Sequence, residues 1–306
     1  MSISGLLEGC SQVTSPSPEV TEKLKGMLPA YPFHIKAEEA LKLAEELGIT
    51  VAQLMIELIP IARKYAAPVV PISNFKVGSC VMGRSGDLYL GVNMEFCGDN
   101  LAQTVHSEQS SVTNAMCHGE KGIVALAVSA EPCGACRQFL NELACAGDLV
   151  ITIPNRHAIG LQDLLPHAFG PKNLEVDGGM LVTYEAPLVR PEESDELIEL
   201  AWDSANKGYA PYSHCNAGVA LQFADGFKVC GWYAENAAFN PSVSPLQAAL
   251  IMANASGRKL GEIVRAALVE RKLENNITHV HSTTSLLKAL APKAELIVKR
   301  LEVKNR

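Results

Sequence analysis

Positive charge, long apolar runs and a secretory leader are all scarce in this 306-residue chain, and each scarcity removes a class of function. Lys and Arg number 26 against 33 Asp and Glu, a net charge of −7 at neutral pH. That balance gives no general attraction to a polyanion. The one basic cluster, Lys299, Arg300, Lys304 and Arg306, reads as a solvated terminus rather than the basic stripe of a nucleic-acid reader. No segment approaches the roughly 18 consecutive apolar residues that a membrane-spanning helix needs. Met1 to Gly26 lacks the basic stretch and apolar core of a signal peptide. These absences point to a cytoplasmic protein with neither nucleic acid nor membrane as partner. Nine cysteines there read as reduced thiols. Cys10, Cys80, Cys97, Cys117, Cys145, Cys215 and Cys230 are read as small core or surface residues, and only Cys133 and Cys136 have metal spacing.

Apolar residues are plentiful, at 48%, with 19% charged, which fits a well-cored globular protein long enough for two domains. The first fifty residues read as helical. Pro18-Glu19-Val20 opens a short amphipathic helix, and Lys36 to Leu47 follows with apolar residues at helical spacing before Gly48 ends it. Val51 to Tyr65 reads as an apolar helix capped by Thr50, with Pro60 expected to kink or interrupt it. From Phe75 the pattern changes. Lys76 to Met82 and Leu88 to Val92 read as strands joined by Gly83-Arg84-Ser85-Gly86-Asp87. A helix is expected over Thr104 to His118, a strand over Ile123 to Ser129, a helix over Gly134 to Ala144 and a strand over Leu149 to Ile153. The order ββαβαβ with near-continuous apolar strands implies an α/β sheet covered by helices on both faces. Pro154 to Pro191 is rich in loop residues and reads as a crossing connection.

Much of the pattern then recurs. Gly91-Val92-Asn93-Met94-Glu95 returns as Gly231-Trp232-Tyr233-Ala234-Glu235, and Gln109 with its helix returns as Gln247 to Ile251. Arg137 to Leu143 returns as Thr284 to Leu290. The expected divisions are a helical region over 1–52, a first domain over 53–156, a connection over 157–190 and a second domain over 191–306.

The chemistry lies in His106-Ser107-Glu108 and Pro132-Cys133-Gly134-Ala135-Cys136. One imidazole and two thiols supply three soft ligands for a tetrahedral Zn²⁺ and leave a fourth position open, as in a catalytic site. Both cysteines start a helix, whose N-terminal partial charge favours thiolates. Glu108 is placed to accept the proton of a zinc-activated water and hand it on. On a regular helix, residues i and i+2 diverge by about 200°, so His106 and Glu108 must converge from an irregular first turn. A redox dithiol is the alternative reading of the cysteines alone, and an N-terminal helix carboxylate that of Glu108. A zinc peptidase is disfavoured by the two cysteines. H-x-E followed by P-C-x-x-C is the signature of zinc-dependent nucleobase deaminases. In the second copy the equivalent positions are Ser244, Leu246, Val280 and Thr283, which make no zinc site.

About four-fifths of the chain resembles the homodimeric, zinc-dependent cytidine deaminases, in which a catalytic domain precedes a degenerate copy. The residues that carry this are Ser73 to Gly78, Asn93 to Phe96, Gln103 to Gln109, Pro132 to Leu143, Ala168 to Lys172 and Tyr233 to Pro241. The resemblance implies a duplicated three-layer α/β/α fold with a small helical N-terminal region. It implies one Zn²⁺ per chain on His106, Cys133 and Cys136, with Glu108 as the proton shuttle. Asn93 and Glu95 would bind the ribose hydroxyls and Phe75 would pack on the pyrimidine. Backbone groups of Ser107 and Cys133 would meet the base edge, and Phe169 would lie over the base bound by a neighbouring subunit. The expected activity is hydrolysis of cytidine and 2′-deoxycytidine, as free nucleosides in pyrimidine salvage, to the uridine forms and ammonia. A nucleic-acid deaminase and a catalytically silent scaffold are the rivals.

Overall fold

The structure, a computed structural model, describes residues 13–66, 69–182, 187–192, 195–274 and 276–304. Cys10 and Arg306 lie outside them. The chain divides into two compact units, one of Met1–Glu95, Val105–Asn173 and Asp177–Val182, the other of Phe96–Thr104, Leu174–Val176 and Thr183–Arg306. The N-terminal helices therefore belong with the first unit, and the expected connection is shared between the two.

Three helices open the first unit. α1 (Pro18–Met27) starts where the Ser17 hydroxyl accepts from the Val20 amide, α2 (Ala37–Leu47) ends on left-handed Gly48, and α3 spans Val51–Ala66. Pro60 does not interrupt α3. A proline removes one helical hydrogen bond, but eleven buried side chains on this helix hold it in place. β1 (His34–Ile35) pairs antiparallel with β3 (Leu88–Val92), which pairs with β2 (Gly78–Gly83). β4 (Ile123–Val128) runs antiparallel to β2 and parallel to β5 (Val150–Thr152), and β6 (Ile159–Gly160) closes the order β1-β3-β2-β4-β5-β6.

Two helices of this unit begin or end differently from expectation, both through tertiary pairing. α4 spans Ser107–Cys117 rather than starting at Thr104, because Val105 exchanges both backbone hydrogen bonds with Met94. α5 (Gly134–Leu140) stops short of Ala144 because the Glu142 carbonyl and Ala144 amide bond to Met180. A single turn, α6 (Leu161–Leu164), follows β6.

Helices cover both faces of the sheet. Gly78 faces α3, where an added Cβ would come within 2.8 Å of Ile59 O. Gly91, paired with Ser79, faces α4, where a Cβ would meet the Ser111 amide at 2.3 Å. Only hydrogen side chains at these two positions let the helices sit this close.

The second unit repeats this plan. α7 (Glu196–Ala205) and α8 (Pro245–Ala255) pack on a sheet of order β10-β9-β7-β8, formed by β7 (Ala217–Phe223), β8 (Lys228–Trp232), β9 (Ile263–Arg271) and β10 (Glu295–Leu301). α9 spans Val280–Leu290. Gly218 and Gly231 stand against α7 and α8 as Gly78 and Gly91 do against α3 and α4. The register shift between Met82 and Gly83 recurs between Gln222 and Phe223. No helix among the described residues is long and apolar enough to cross a membrane.

Candidate metal centre

His106 is the N-cap of α4, with extended backbone (φ −87°, ψ 156°), and Glu108 is the second residue inside the helix. The change of backbone between them lets both side chains reach one spot, which a continuous helix would forbid. The cap is fixed by Gln109, whose Oε1 accepts from the His106 amide at 2.9 Å. Cys133 caps α5 in the same way (φ −70°, ψ 170°) and is exposed, while Cys136, one turn on, is buried. Arg137 steadies this turn by donating from Nε to the Pro132 carbonyl (2.8 Å) and from a terminal nitrogen to the Leu164 carbonyl (2.9 Å).

The three donor atoms form a tight triangle. His106 Nδ1 lies 3.4 Å from Cys133 Sγ and 3.3 Å from Cys136 Sγ, and the sulfurs are 3.6 Å apart. Tetrahedral zinc, with Zn–S of about 2.3 Å and Zn–N of about 2.0–2.1 Å, places its ligands roughly 3.6–3.8 Å apart. The set therefore matches zinc in both chemistry and size. It is the one such cluster of His, Cys, Asp and Glu among the described residues.

The electrostatics of the cluster favour a cation. The hydrogen bond with Cys136, outweighing burial and helped by α5 backbone amides and the neighbouring His106, pulls the Cys133 thiol down to about 4. Its partner Cys136 is pushed up, first by that shared hydrogen bond and then by burial. Glu108 is buried, and desolvation raises its carboxyl above the ordinary range although its own amide and the Cys136 thiol bond to it.

A second cluster stands at the end of β3. The Asn93 side chain accepts from the Val77 amide and donates to the Phe75 carbonyl, both at 2.8 Å. Glu95 Oε2 accepts from the amides of Ile72 (2.8 Å) and Ser73 (2.9 Å), and the Ser73 hydroxyl donates to Oε1. Burial would raise the Glu95 carboxyl, but these bonds hold it below its ordinary value. Phe75 is pinned at both backbone ends, its carbonyl by Asn93 and its amide by the Ser73 hydroxyl, while the residue stands 63% exposed. The Met94–Val105 bridge joins this cluster to the residue before His106.

Of the remaining expected site residues, Ser107 turns its hydroxyl inward to Ser79 (2.8 Å) and the Gly91 carbonyl (3.1 Å). Phe169 is exposed, and its carbonyl is held by Gln138 (2.8 Å) and Asn141 (3.0 Å). Gln109, Arg137 and Ser73 were not singled out from the sequence. The capping spacing from His106 to Gln109 was the one available signal, since Arg137 works on distant carbonyls.

The second unit keeps the frame and loses the donors. Ser244 caps α8 with Gln247 in the capping-box position, and Leu246 replaces the carboxylate. Buried Cys136, Phe139 and Leu140 on α5 correspond to buried Thr283, Leu286 and Leu287 on α9. The Thr283 hydroxyl has no hydrogen-bond partner among the described residues.

Two family models, each described as "Cytidine and deoxycytidylate deaminase zinc-binding region", match the chain, one over residues 52–152 and the other over 161–284. The chain belongs to this deaminase family. It is 43% identical over 262 residues to the cytidine deaminase of Photobacterium profundum, covering 86% of this chain and 88% of that one. It is 41% identical over 283 residues to that of Aliivibrio fischeri, covering 92% of each. The solved cytidine deaminase of Burkholderia pseudomallei is 30% identical, spans 38% of this chain and 97% of its own, and superposes with a TM-score of 0.34. The matched family regions are zinc-binding, and the His106, Cys133 and Cys136 triangle is a group that could hold a metal ion.

Proposed function

We propose that this chain hydrolyses cytidine and 2′-deoxycytidine to uridine and 2′-deoxyuridine, releasing ammonia, and does so on free nucleosides in pyrimidine salvage. The observation that carries the reading is the donor triangle with a buried carboxylate against it. His106, Cys133 and Cys136 hold the zinc, which when bound supplies the Lewis acidity that brings the pKa of water toward neutrality.

Glu108 does the proton work. Its raised affinity for a proton suits a group that must take one and give it back near neutral pH. It accepts a proton from the attacking water and delivers it to the ring nitrogen beside the amidine carbon. It then passes the second proton to the departing amine, so that one water is consumed and one ammonia leaves. Asn93 and Glu95 retain free acceptor and donor capacity beyond their loop contacts, and an amide beside a carboxylate suits a diol. Phe75 packs on the pyrimidine, and the backbone at Ser107 and Cys133 meets its edge.

Residues 53–156 form the catalytic domain, after the helical region 1–52, and 191–306, beyond the connection 157–190, form the degenerate one. The protein works in the cytoplasm as a homodimer, in which Phe169 of one subunit covers the base bound by the other.

The test is to follow the absorbance loss of cytidine on conversion to uridine, with ammonia release, by zinc-loaded protein. An oligonucleotide containing cytosine serves as the competing substrate. Faster turnover of the oligonucleotide would replace the nucleoside reading with a polymer one. Absence of both zinc and ammonia would leave a silent scaffold.

A further inference from the structure

The Ser73 hydroxyl stands between the two groups expected to grip the nucleoside. It donates to Glu95 Oε1 and accepts from the Phe75 amide at 3.0 Å. Between them Asn74 takes a left-handed backbone (φ 57°), which carries the chain round the hydroxyl. A carboxylate and an exposed aromatic ring are thereby joined through one oxygen.

The second unit separates what the fold needs from what the site needs. Tyr212 and Ser213 amides donate to Glu235, the Cys215 amide donates to the Ser213 hydroxyl at 3.2 Å, and His214 is left-handed at φ 59°. The loop therefore keeps its shape in the copy that has lost the metal donors. What changes is the cargo, because the exposed Phe75 becomes the fully buried Cys215 and Asn93 becomes Tyr233, whose hydroxyl bonds to Glu235 at 3.3 Å. In the silent copy a side chain of the protein sits on the carboxylate. In the working copy the carboxylate faces the loop and is otherwise open to a ligand.

We propose that Ser73 is a positioning residue for the reaction, fixing the Glu95 carboxylate so that its remaining lone pairs meet a ribose hydroxyl while the same oxygen sets the Phe75 backbone. This rests on the reading of Glu95 as the hydroxyl-binding group. Substrate binding at the sugar and ring placement over the base are then one event, and the sugar contributes to turnover as well as to affinity.

The experiment compares kcat/KM for cytidine and for 2′,3′-dideoxycytidine, which lacks the 2′ and 3′ hydroxyls, across wild type, Ser73→Ala, Ser73→Thr and Glu95→Gln. Ser73 is exposed on a surface loop, so the variants are expected to fold and to keep their zinc, checked by metal content and unfolding midpoint. The expected result is a roughly tenfold loss on cytidine for Ser73→Ala, the scale of one hydrogen bond to a charged group. The loss on the dideoxy substrate should be several-fold smaller, and Ser73→Thr should regain most of the activity. Equal losses on both substrates, or none on either, would overturn the proposal. If Glu95→Gln abolishes the preference for cytidine and Ser73→Ala leaves it intact, Glu95 keeps its role and Ser73 loses its own. If Glu95→Gln leaves the preference unchanged, the underlying reading of Glu95 fails first.

Discussion

At the scale of single residues, the site is set by where two helices begin. His106 and Cys133 are both N-caps in extended conformation, so each donor leaves the backbone before the helix fixes its direction. The spacing of His, Glu and two Cys was legible in the sequence, as was the need for an irregular turn between His106 and Glu108. Partners of Glu95 were not, because Ile72 and Ser73 lie 23 and 22 positions away and two of the three bonds come from backbone amides, which leave no mark in residue type. Glu108→Ala should retain zinc while turnover falls by roughly a hundredfold to ten-thousandfold, the range for loss of a general acid–base group. Metal analysis alongside the cytidine assay checks both halves, and near-normal turnover would remove Glu108 from the proton path. Cys136→Ala should take the zinc content well below one per chain. It deletes a buried ligand rather than an exposed one, so water cannot readily replace it.

Among elements, the attachment of the helical region to the first sheet is the clearest dependency. Asp87, in the β2–β3 turn, accepts from His34 Nε2 (2.8 Å), Lys36 Nζ (3.0 Å) and the Ala37 amide at the start of α2 (2.9 Å). Burial opposes the charge, but these bonds and the Lys36 ammonium hold the carboxyl below its ordinary value. With the folded pKa below an unfolded one of about 3.9, the stabilisation is complete above that pH. It is lost as the pH falls through the still lower folded value. Asp87→Asn should destabilise the first unit by about 1.5–3 kcal/mol at neutral pH. It should also flatten the acid limb of its stability curve, which denaturant titrations from pH 5 to pH 2 would show. Strands and helices were readable from apolar periodicity, whereas the ends of α4 and α5 depend on Met94 and Met180 and have no local signal.

Over the whole molecule, duplication governs stoichiometry. Ser244, Leu246, Val280 and Thr283 offer no thiolate and no imidazole, so purified protein should carry one zinc per chain. A value near two would assign metal to the second unit. The proposed dimer predicts a light-scattering mass of twice the chain. The repeat was visible in short echoes such as Gly91 to Glu95 and Gly231 to Glu235. Its depth was not, since the matching register shifts and the helix-facing glycines exist only once strands are paired.

The Thr283 hydroxyl gives that duplication an energetic consequence. A buried hydroxyl without a partner among the described residues carries a penalty of about 1–3 kcal/mol. Thr283→Val keeps the shape and removes the polar atom, so the second unit should unfold at higher temperature with kcat on cytidine unchanged. That outcome would mark this half of the chain as one where mutation can raise robustness at no catalytic cost.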